Sequence, residues 1–166
     1  MILLFTYFFL ALFVSFLCSI VESVLLSTPQ AFLLVKKEEN KKWAEGFLTF
    51  KTNIDKPLAA ILSLNTIAHT IGAAGVGAQA VKIFGAEYFG LISAILTISI
   101  LVFTEIIPKT AGARYWRSLS KFSFFTIQSM IVIAYPLVLL SALITNSIAK
   151  KDSKENSTSR EELSAL

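Results

Sequence analysis

The chain has 166 residues, of which 55% are hydrophobic, and its mean hydropathy is +0.70. This composition is typical of an integral membrane protein and excludes a soluble enzyme. The net charge of +4 lies mainly in the predicted loops, which indicates membrane topology and argues against a nucleic-acid partner. The single Cys18 allows neither an internal disulfide nor a zinc site.

The first apolar run, residues 1–26, is long enough to cross a bilayer as a helix. A cleaved signal peptide is the alternative, but the run has no basic start and no small-residue cleavage site. Ser19, Glu22 and Ser23 interrupt the run at a spacing that places them on one helical face. A carboxylate inside a span is costly in lipid, so this face is a candidate functional site.

Residues 30–51 combine aromatic and aliphatic residues with a lysine-rich centre. The pattern predicts a pair of short amphipathic helices on the membrane surface. Asp55 and Pro57 then predict the start of the second span, with Asp55 as its cap and Pro57 at the first helical position.

The second span, residues 58–84, has a polar half followed by a half rich in small residues. Asn65 and His69 are four residues apart and share a helical face. Gly72, Gly75 and Gly77 lie in the small half, where membrane helices approach closely, and we expect them to support a homodimer. A phosphate-binding glycine loop is excluded because no strand precedes these residues.

The third span closes with the stretch Leu101-Val-Phe-Thr-Glu-Ile-Ile-Pro-Lys109. Glu105 is a second ionisable residue inside a span. Pro108 has no N–H, so the carbonyl of Thr104 loses its helical partner. A carboxylate and a freed carbonyl are hard oxygen ligands for Mg²⁺ or Ca²⁺. The alternative is a helix that ends here, with Glu105 at the water boundary and Lys109 extended into the water.

The distribution of Lys and Arg predicts the orientation. Six lie between the first two spans, one near the second turn, four after the third span and four in the tail. The positive-inside rule places the first loop in the cytoplasm and the N-terminus outside. A fourth apolar run, residues 122–148, contains Pro136 and scattered polar residues, which favours a bent juxtamembrane belt. A fourth span is the alternative, and it would place the tail outside.

Together these elements predict an all-α integral membrane fold over residues 1–147. It has three transmembrane helices, a cytoplasmic-side amphipathic helix pair and a juxtamembrane belt helix. Residues 148–166 are predicted to form a disordered cytoplasmic tail. The predicted location is the cell (inner) membrane, with several passes, the N-terminus outside and the C-terminus in the cytoplasm.

The chain resembles the transmembrane domain of the CNNM (cyclin M) and CorC magnesium-transporter family over residues 1–147. Three stretches carry the resemblance: Ser19-Ile-Val-Glu-Ser-Val-Leu-Leu-Ser27, Leu64-Asn-Thr66 and Phe103-Thr-Glu-Ile-Ile-Pro-Lys109. It implies a homodimer in the lipid bilayer that exports Mg²⁺ in exchange for Na⁺. Members of this family usually carry nucleotide-binding CBS domains, which the sequence does not reach, so we expect nucleotide regulation to need a separate regulatory subunit.

The resemblance also implies that polar oxygens of all three spans hold the ion. The candidate ligands are Ser19, Glu22, Ser23, Asn65, His69, the Thr104 carbonyl and Glu105; Pro108 and Lys109 complete the third motif. Two positions depart from the family, which often has Asn where His69 stands and usually has Gly where Thr104 stands. Imidazole suits Mn²⁺ or Co²⁺ better than Mg²⁺, so His69 leaves the ion open. The alternative is a histidine that only bonds across helices.

A transporter is not the only function that such a chain could have. A non-transporting membrane scaffold or regulatory subunit of the same fold is the alternative. Two carboxylates inside spans argue against it, because idle charges destabilise a membrane protein. An enzyme is not expected, since the single histidine pairs with no evident nucleophile and base.

Overall fold

The computed structural model describes residues 1–139, and every regular element in that range is a helix. The predicted all-α fold is therefore confirmed. The elements are α1 (Ile2–Ser27), α2 (Gln30–Glu38), α3 (Lys42–Thr52), α4 (Asp55–Phe84), a 3₁₀ turn (Ala86–Tyr88), α5 (Phe89–Ile100), a π-helical segment (Leu101–Ile106), α6 (Ile107–Arg114) and α7 (Trp116–Ile133).

Three stretches of residues 1–139 are long and apolar enough to cross a membrane: Ile2–Ser27, Asp55–Phe84 and Ala86–Arg114. At 1.5 Å per residue, each exceeds the hydrocarbon thickness of about 30 Å. The third span combines α5, the π-helical segment and α6. Large apolar side chains on the outside of the spans, such as Phe13 and Ile98, are exposed, which suits contact with lipid. The three predicted spans are thus confirmed.

The predicted surface helix pair is also confirmed, as α2 and α3. Leu33 of α2 and Phe47 of α3 are fully buried. Asn40 makes the turn between the two helices with a φ of 58°, a left-handed conformation that Asn tolerates better than most residues. Phe32 packs edge-to-face on Trp116 of α7, with ring centroids 5.1 Å apart. The α2–α3 pair, which follows the C-terminal end of α1 in the chain, therefore also packs on α7.

Lys51 of α3 caps the C-terminal end of α1. Its Nζ donates to the carbonyl oxygens of Leu25 at 3.0 Å and Leu26 at 3.2 Å. The Leu25 carbonyl lacks a helical partner because Pro29, four residues later, has no N–H. Burial lowers the pKa of Lys51 below its ordinary 10.5. This contact fixes the surface helix pair to the end of the first span.

Helix α7 matches the predicted belt as far as the structure describes it. Its buried residues recur every three or four positions, so one face packs on the spans: Ser120, Ser123, Ile127, Met130 and Ile131. The helix ends at Ile133, and the amides of Leu137 and Val138 both bond to the carbonyl of Ala134. The helix is therefore interrupted at Ala134, and helical backbone resumes over residues 135–139, which include Pro136. The predicted remainder of the belt and the predicted tail, residues 148–166, lie outside the described residues.

Two predicted helix boundaries are wrong. Asp55 is the first residue of α4 rather than its cap, which is Ile54. The third span does not end at Pro108 but continues to Arg114.

The π-helical segment explains why the helix passes through Pro108. The amide of Ile107 reaches back five residues to the carbonyl of Val102, which widens the turn. Pro108 then lies in the first turn of α6, where its missing N–H costs little. The helix thus accommodates the proline by widening one turn, and it does not end there.

The small residues of the second span pack inside the chain. A Cβ added to Gly72 would overlap the Cβ of Ala11, and one added to Gly75 would lie 2.5 Å from the ring of Tyr7. Gly77 faces a ring of α5 at 3.3 Å. The predicted close approach therefore occurs between α1 and α4 of one protomer. These glycines do not by themselves support the homodimer, which stays a prediction.

Candidate ion-binding site

Nine polar residues meet where the three spans pack together, and we refer to them as the polar cluster. The first span contributes four residues, at i, i+4, i+7 and i+8 of one helical face. The second contributes two and the third contributes three. The members are Ser15, Ser19, Glu22, Ser23, Asn65, His69, Thr104, Glu105 and Lys109. All seven predicted ligand residues belong to it.

Glu105 lies where the three spans meet. Its Oε1 accepts from Nδ2 of Asn65 at 3.3 Å and from Oγ of Ser19 at 3.4 Å. Its Oε2 lies 2.9 Å from Nζ of Lys109. One carboxylate is thus held by a hydroxyl of the first span, an amide of the second and an ammonium of the third.

Lys109 connects the two carboxylates of the cluster. Its Nζ lies 3.4 Å from Oε2 of Glu22, in addition to its contact with Glu105. This Glu22 oxygen is buried, and the ion pair with Lys109 is its only polar side-chain contact within the described residues. The side chains are 14% exposed for Glu22, 26% for Glu105 and 44% for Lys109. The lysine head lies between the two acids, and its side chain remains partly accessible.

Close packing of α6 on α1 holds this end of the site. Oγ of Ser23 donates to the carbonyl oxygen of Lys109 at 2.6 Å. One turn further on, a Cβ at Gly112 would lie 2.7 Å from the carbonyl oxygen of Ile20. Sequence reasoning missed Gly112, although its small neighbours Ala111 and Ala113 gave a signal for close approach.

The other end of the cluster is built around Ser15. Its Oγ donates to Oδ1 of Asn65 at 2.6 Å and lies 2.5 Å from Nε2 of His69. The same Nε2 lies 3.3 Å from Oγ1 of Thr104, so the Thr104 side chain also reaches the cluster. Sequence reasoning missed Ser15; its signal was the spacing of four residues before Ser19.

Comparison with known proteins identifies the family. The family model described as the cyclin M transmembrane N-terminal domain matches residues 6–166. The chain belongs to the CNNM family. A UPF0053 protein of Synechocystis sp. is 33% identical over 138 residues, covering 83% of this chain and 40% of that protein. A UPF0053 protein of Haemophilus influenzae is 29% identical over 150 residues, covering 87% of this chain and 36% of that protein.

The CNNM match confirms the predicted resemblance and covers every residue of the polar cluster. The chain spans less than half the length of either of these two relatives. What the match establishes is therefore the membrane domain, and the activity of the whole protein is a matter for proposal.

The two carboxylates and Asn65 of this CNNM domain lie toward one end of the spans, whereas Ser15 and His69 lie about 18 Å and 21 Å from the same ends, near the middle of their helices. Glu22 is about 8 Å from the end of α1, Asn65 about 15 Å from the start of α4 and Glu105 about 14 Å from the end of α6. These three helix ends are the ones next to the α2–α3 pair. The cluster therefore extends from the middle of the spans toward the ends that adjoin the lysine-rich α2–α3 pair.

The donor set of the cluster is oxygen-rich. In an octahedral Mg²⁺ shell with bonds of 2.0–2.1 Å, neighbouring ligand atoms are about 3 Å apart. Oγ of Ser19 and Oε1 of Glu105, 3.4 Å apart, are close to that spacing. Within residues 1–139, no group of three or more His, Cys, Asp or Glu side chains is placed to hold a metal ion. Hydroxyl, amide and carboxylate oxygens of this kind are ligands that hard cations prefer.

Proposed function

We propose that this CNNM domain is the membrane part of a divalent-cation transporter, with Mg²⁺ as the transported ion and Na⁺ as the coupling ion. One observation carries the proposal: Glu22 and Glu105, from different spans, meet in a single polar cluster inside an otherwise apolar bundle. Charged side chains inside a membrane are costly, and those that face a bundle interior commonly mark an ion pathway.

The residues of the cluster have distinct roles in this proposal. Ser19 and Glu105 supply adjacent oxygens that replace hydration water, which Mg²⁺ gives up reluctantly. Asn65 places its amide nitrogen against Glu105 and its oxygen against Ser15, and that oxygen is a further candidate ligand. Glu22 supplies the second negative charge. Ser23 holds the backbone of Lys109 and so positions the third span against the first. The Thr104 carbonyl is a further candidate ligand beside Glu105.

His69 has a positioning role in the same proposal. Its Nε2 contacts the hydroxyls of Ser15 and Thr104, and Ser15 in turn orients Asn65. These contacts support Mg²⁺ over Mn²⁺ or Co²⁺, since a ring nitrogen engaged with hydroxyl groups is not presented to a metal.

The membrane setting completes the proposal. The lysine-rich turn between α2 and α3 lies at the same end of the spans as the cluster, which supports a site that opens to the cytoplasm of the cell (inner) membrane. Homodimer formation and a separate regulatory subunit remain proposals drawn from the family resemblance.

Ion flux into proteoliposomes tests the function. The purified chain is reconstituted, and entry of Mg²⁺ is followed with an entrapped indicator under a Na⁺ gradient, with Mn²⁺ and Co²⁺ as competitors. We expect flux in the wild type and its loss in Glu105→Gln. Glu87→Gln is the matched control, because Glu87 is an exposed glutamate outside the cluster. A folded wild type without flux would favour the scaffold alternative instead.

A further inference from the structure

The space between the two carboxylates of the polar cluster is already filled by a positive charge. Nζ of Lys109 lies 2.9 Å from Oε2 of Glu105 and 3.4 Å from Oε2 of Glu22. No other basic side chain of residues 1–139 lies within ion-pairing distance of either acid. A cation that uses both carboxylates must therefore replace this ammonium group.

We propose that Lys109 is a selectivity residue: a tethered cation that keeps monovalent ions out of the site between Glu22 and Glu105 and is displaced by a divalent ion. The inference rests on the proposed transport function, because it concerns how the same site chooses its ion.

The fit of the ammonium group is uneven. Its Nζ lies 2.9 Å from Glu105 but 3.4 Å from the buried Oε2 of Glu22, a longer contact that is not a well-formed hydrogen bond. A buried acceptor whose hydrogen bonding is poorly satisfied lowers stability. An ion that contacts both carboxylates closely would improve the contact with Glu22, so displacement of Lys109 has a structural driving force beyond charge.

The charges of the two carboxylates and the ammonium group then make the site selective for divalent over monovalent ions. The two carboxylates carry two negative charges, of which the ammonium neutralises one. A monovalent ion that replaces it gains no additional attraction and competes with a group whose covalent link gives it a high effective concentration. A divalent ion doubles the Coulomb attraction to both carboxylates. Lys109 therefore yields to Mg²⁺ and resists Na⁺.

The lysine can leave without moving the helix. Its side chain is 44% exposed, and a lysine stem is long and flexible. Its backbone is separately fixed, because Ser23 donates to its carbonyl at 2.6 Å and Gly112 holds α6 close to α1. The head group can swing toward water while the oxygens of the site stay in place. It follows that a coupled Na⁺ does not take this position while Lys109 holds it.

Ligand-dependent melting of the detergent-solubilised chain tests the selectivity. The melting temperature is followed while MgCl₂ or NaCl is titrated at constant ionic strength, and the midpoint is the ion concentration that gives half of the maximal shift. The proteins are the wild type, Lys109→Gln and Lys109→Arg, with Lys121→Gln as a control for loss of an exposed lysine. In Lys109→Gln we expect the Na⁺ midpoint to fall about tenfold or more, and the preference for Mg²⁺ over Na⁺ to shrink. Lys109→Arg should keep the wild-type preference. An unchanged preference in Lys109→Gln overturns the proposal.

Amine labelling of the wild type provides a second measurement that does not depend on a variant folding. A water-soluble N-hydroxysuccinimide ester is applied with Mg²⁺ or with Na⁺, and modification is read by mass spectrometry. We expect Mg²⁺, but not Na⁺, to increase labelling of Lys109 relative to Lys121. Equal labelling of Lys109 in both ions contradicts displacement.

The two proposals fail in different ways. If Mg²⁺ stabilises the wild type and Glu105→Gln removes that effect, the ion site stands, and unchanged labelling and selectivity then reject only the role of Lys109. If Mg²⁺ stabilises neither protein and no flux is seen, the proposed function fails and the selectivity role fails with it.

Discussion

Nε2 of His69 lies 2.5 Å from the hydroxyl oxygen of Ser15, and the neighbouring bonds assign the proton between them. Ser15 donates its only proton to Oδ1 of Asn65, and Thr104 donates its own to the carbonyl of Ile100. Neither hydroxyl has a proton left for the ring, so Nε2–H is the donor. A metal could then bind His69 only through Nδ1, on the other side of the ring from Ser15 and Thr104, which favours a positioning role for His69.

The first prediction concerns His69→Asn. We expect the order of preference among Mg²⁺, Mn²⁺ and Co²⁺ to stay as in the wild type, because no ligand is lost. The free energy of unfolding should change by about 1 kcal/mol or less, the usual size of a hydrogen bond between membrane helices. Ion-dependent melting midpoints for the three ions measure both effects. A shift of preference toward Mg²⁺ in the variant would restore the ligand role.

The second prediction concerns the proposed oxygen ligands. Glu105→Gln and Asn65→Ala should each abolish stabilisation by Mg²⁺, since one removes a charge and the other removes the amide that bonds to both Glu105 and Ser15. A ligand present at 100 times its Kd stabilises the folded wild type by about 2.7 kcal/mol. Thr97→Ala is the control, because the Thr97 hydroxyl bonds only within its own helix. Wild-type shifts in both variants would place the site elsewhere.

The faces of the cluster could be predicted from sequence because helical spacing is regular. Ser19, Glu22 and Ser23 fall on one side of any helix, as do Asn65 and His69. What spacing does not give is which face meets which. That depends on close approaches, such as the one at Gly112, that bring spans far apart in sequence into contact.

The π-helical segment and the position of Lys109 could not be predicted for a different reason. The chain can accommodate the missing N–H of Pro108 in two ways, by ending the helix or by widening one turn. The residue pattern is the same for both. The orientation of Lys109 follows from that choice. At a helix end its head would extend into water, whereas in a continuing helix it lies one turn after Glu105 and pairs with it.

The third prediction compares two glycines that differ in their surroundings. Gly72→Ala should lower the free energy of unfolding by about 1–3 kcal/mol, because the new methyl group overlaps Ala11 of the first span. Gly90→Ala makes the same change in a helix where nothing lies within 4 Å, and it should be neutral or slightly stabilising. Thermal unfolding in detergent measures both. Equal effects would mean that the approach of α1 and α4 is not tightly packed.

The fourth prediction concerns the Lys51 cap. Lys51→Met should lower the free energy of unfolding by about 1–2 kcal/mol, because the carbonyls of Leu25 and Leu26 lose their donor. Lys121→Met, which removes an exposed lysine, is the control.

The pKa of Lys51 also predicts how the stability difference between the wild type and Lys51→Met changes with pH. Burial holds the pKa of folded Lys51 below 10.5, so between that pKa and 10.5 the unfolded chain binds more protons. Stability of the wild type therefore rises with pH in this window, and the neutral amine keeps its donors. The stability gap between wild type and Lys51→Met should widen from neutral pH toward pH 10.5. A gap that narrows would contradict the buried cap.

The last prediction concerns orientation, and one buried cysteine makes it simple to test. Cys18 is fully buried, so a membrane-impermeant maleimide should report only on an introduced cysteine. Lys41→Cys lies in the turn of the surface helix pair, and Glu87→Cys lies in the 3₁₀ turn between the second and third spans. Because only the second span lies between Lys41 and Glu87 and it crosses the membrane once, the two sites must face opposite sides.

The excess of basic residues around Lys41 predicts that it faces the cytoplasm. In intact cells we therefore expect labelling of Glu87→Cys but not of Lys41→Cys, and labelling of both after the cells are broken. The reverse pattern would invert the orientation, and the polar cluster would then open to the outside.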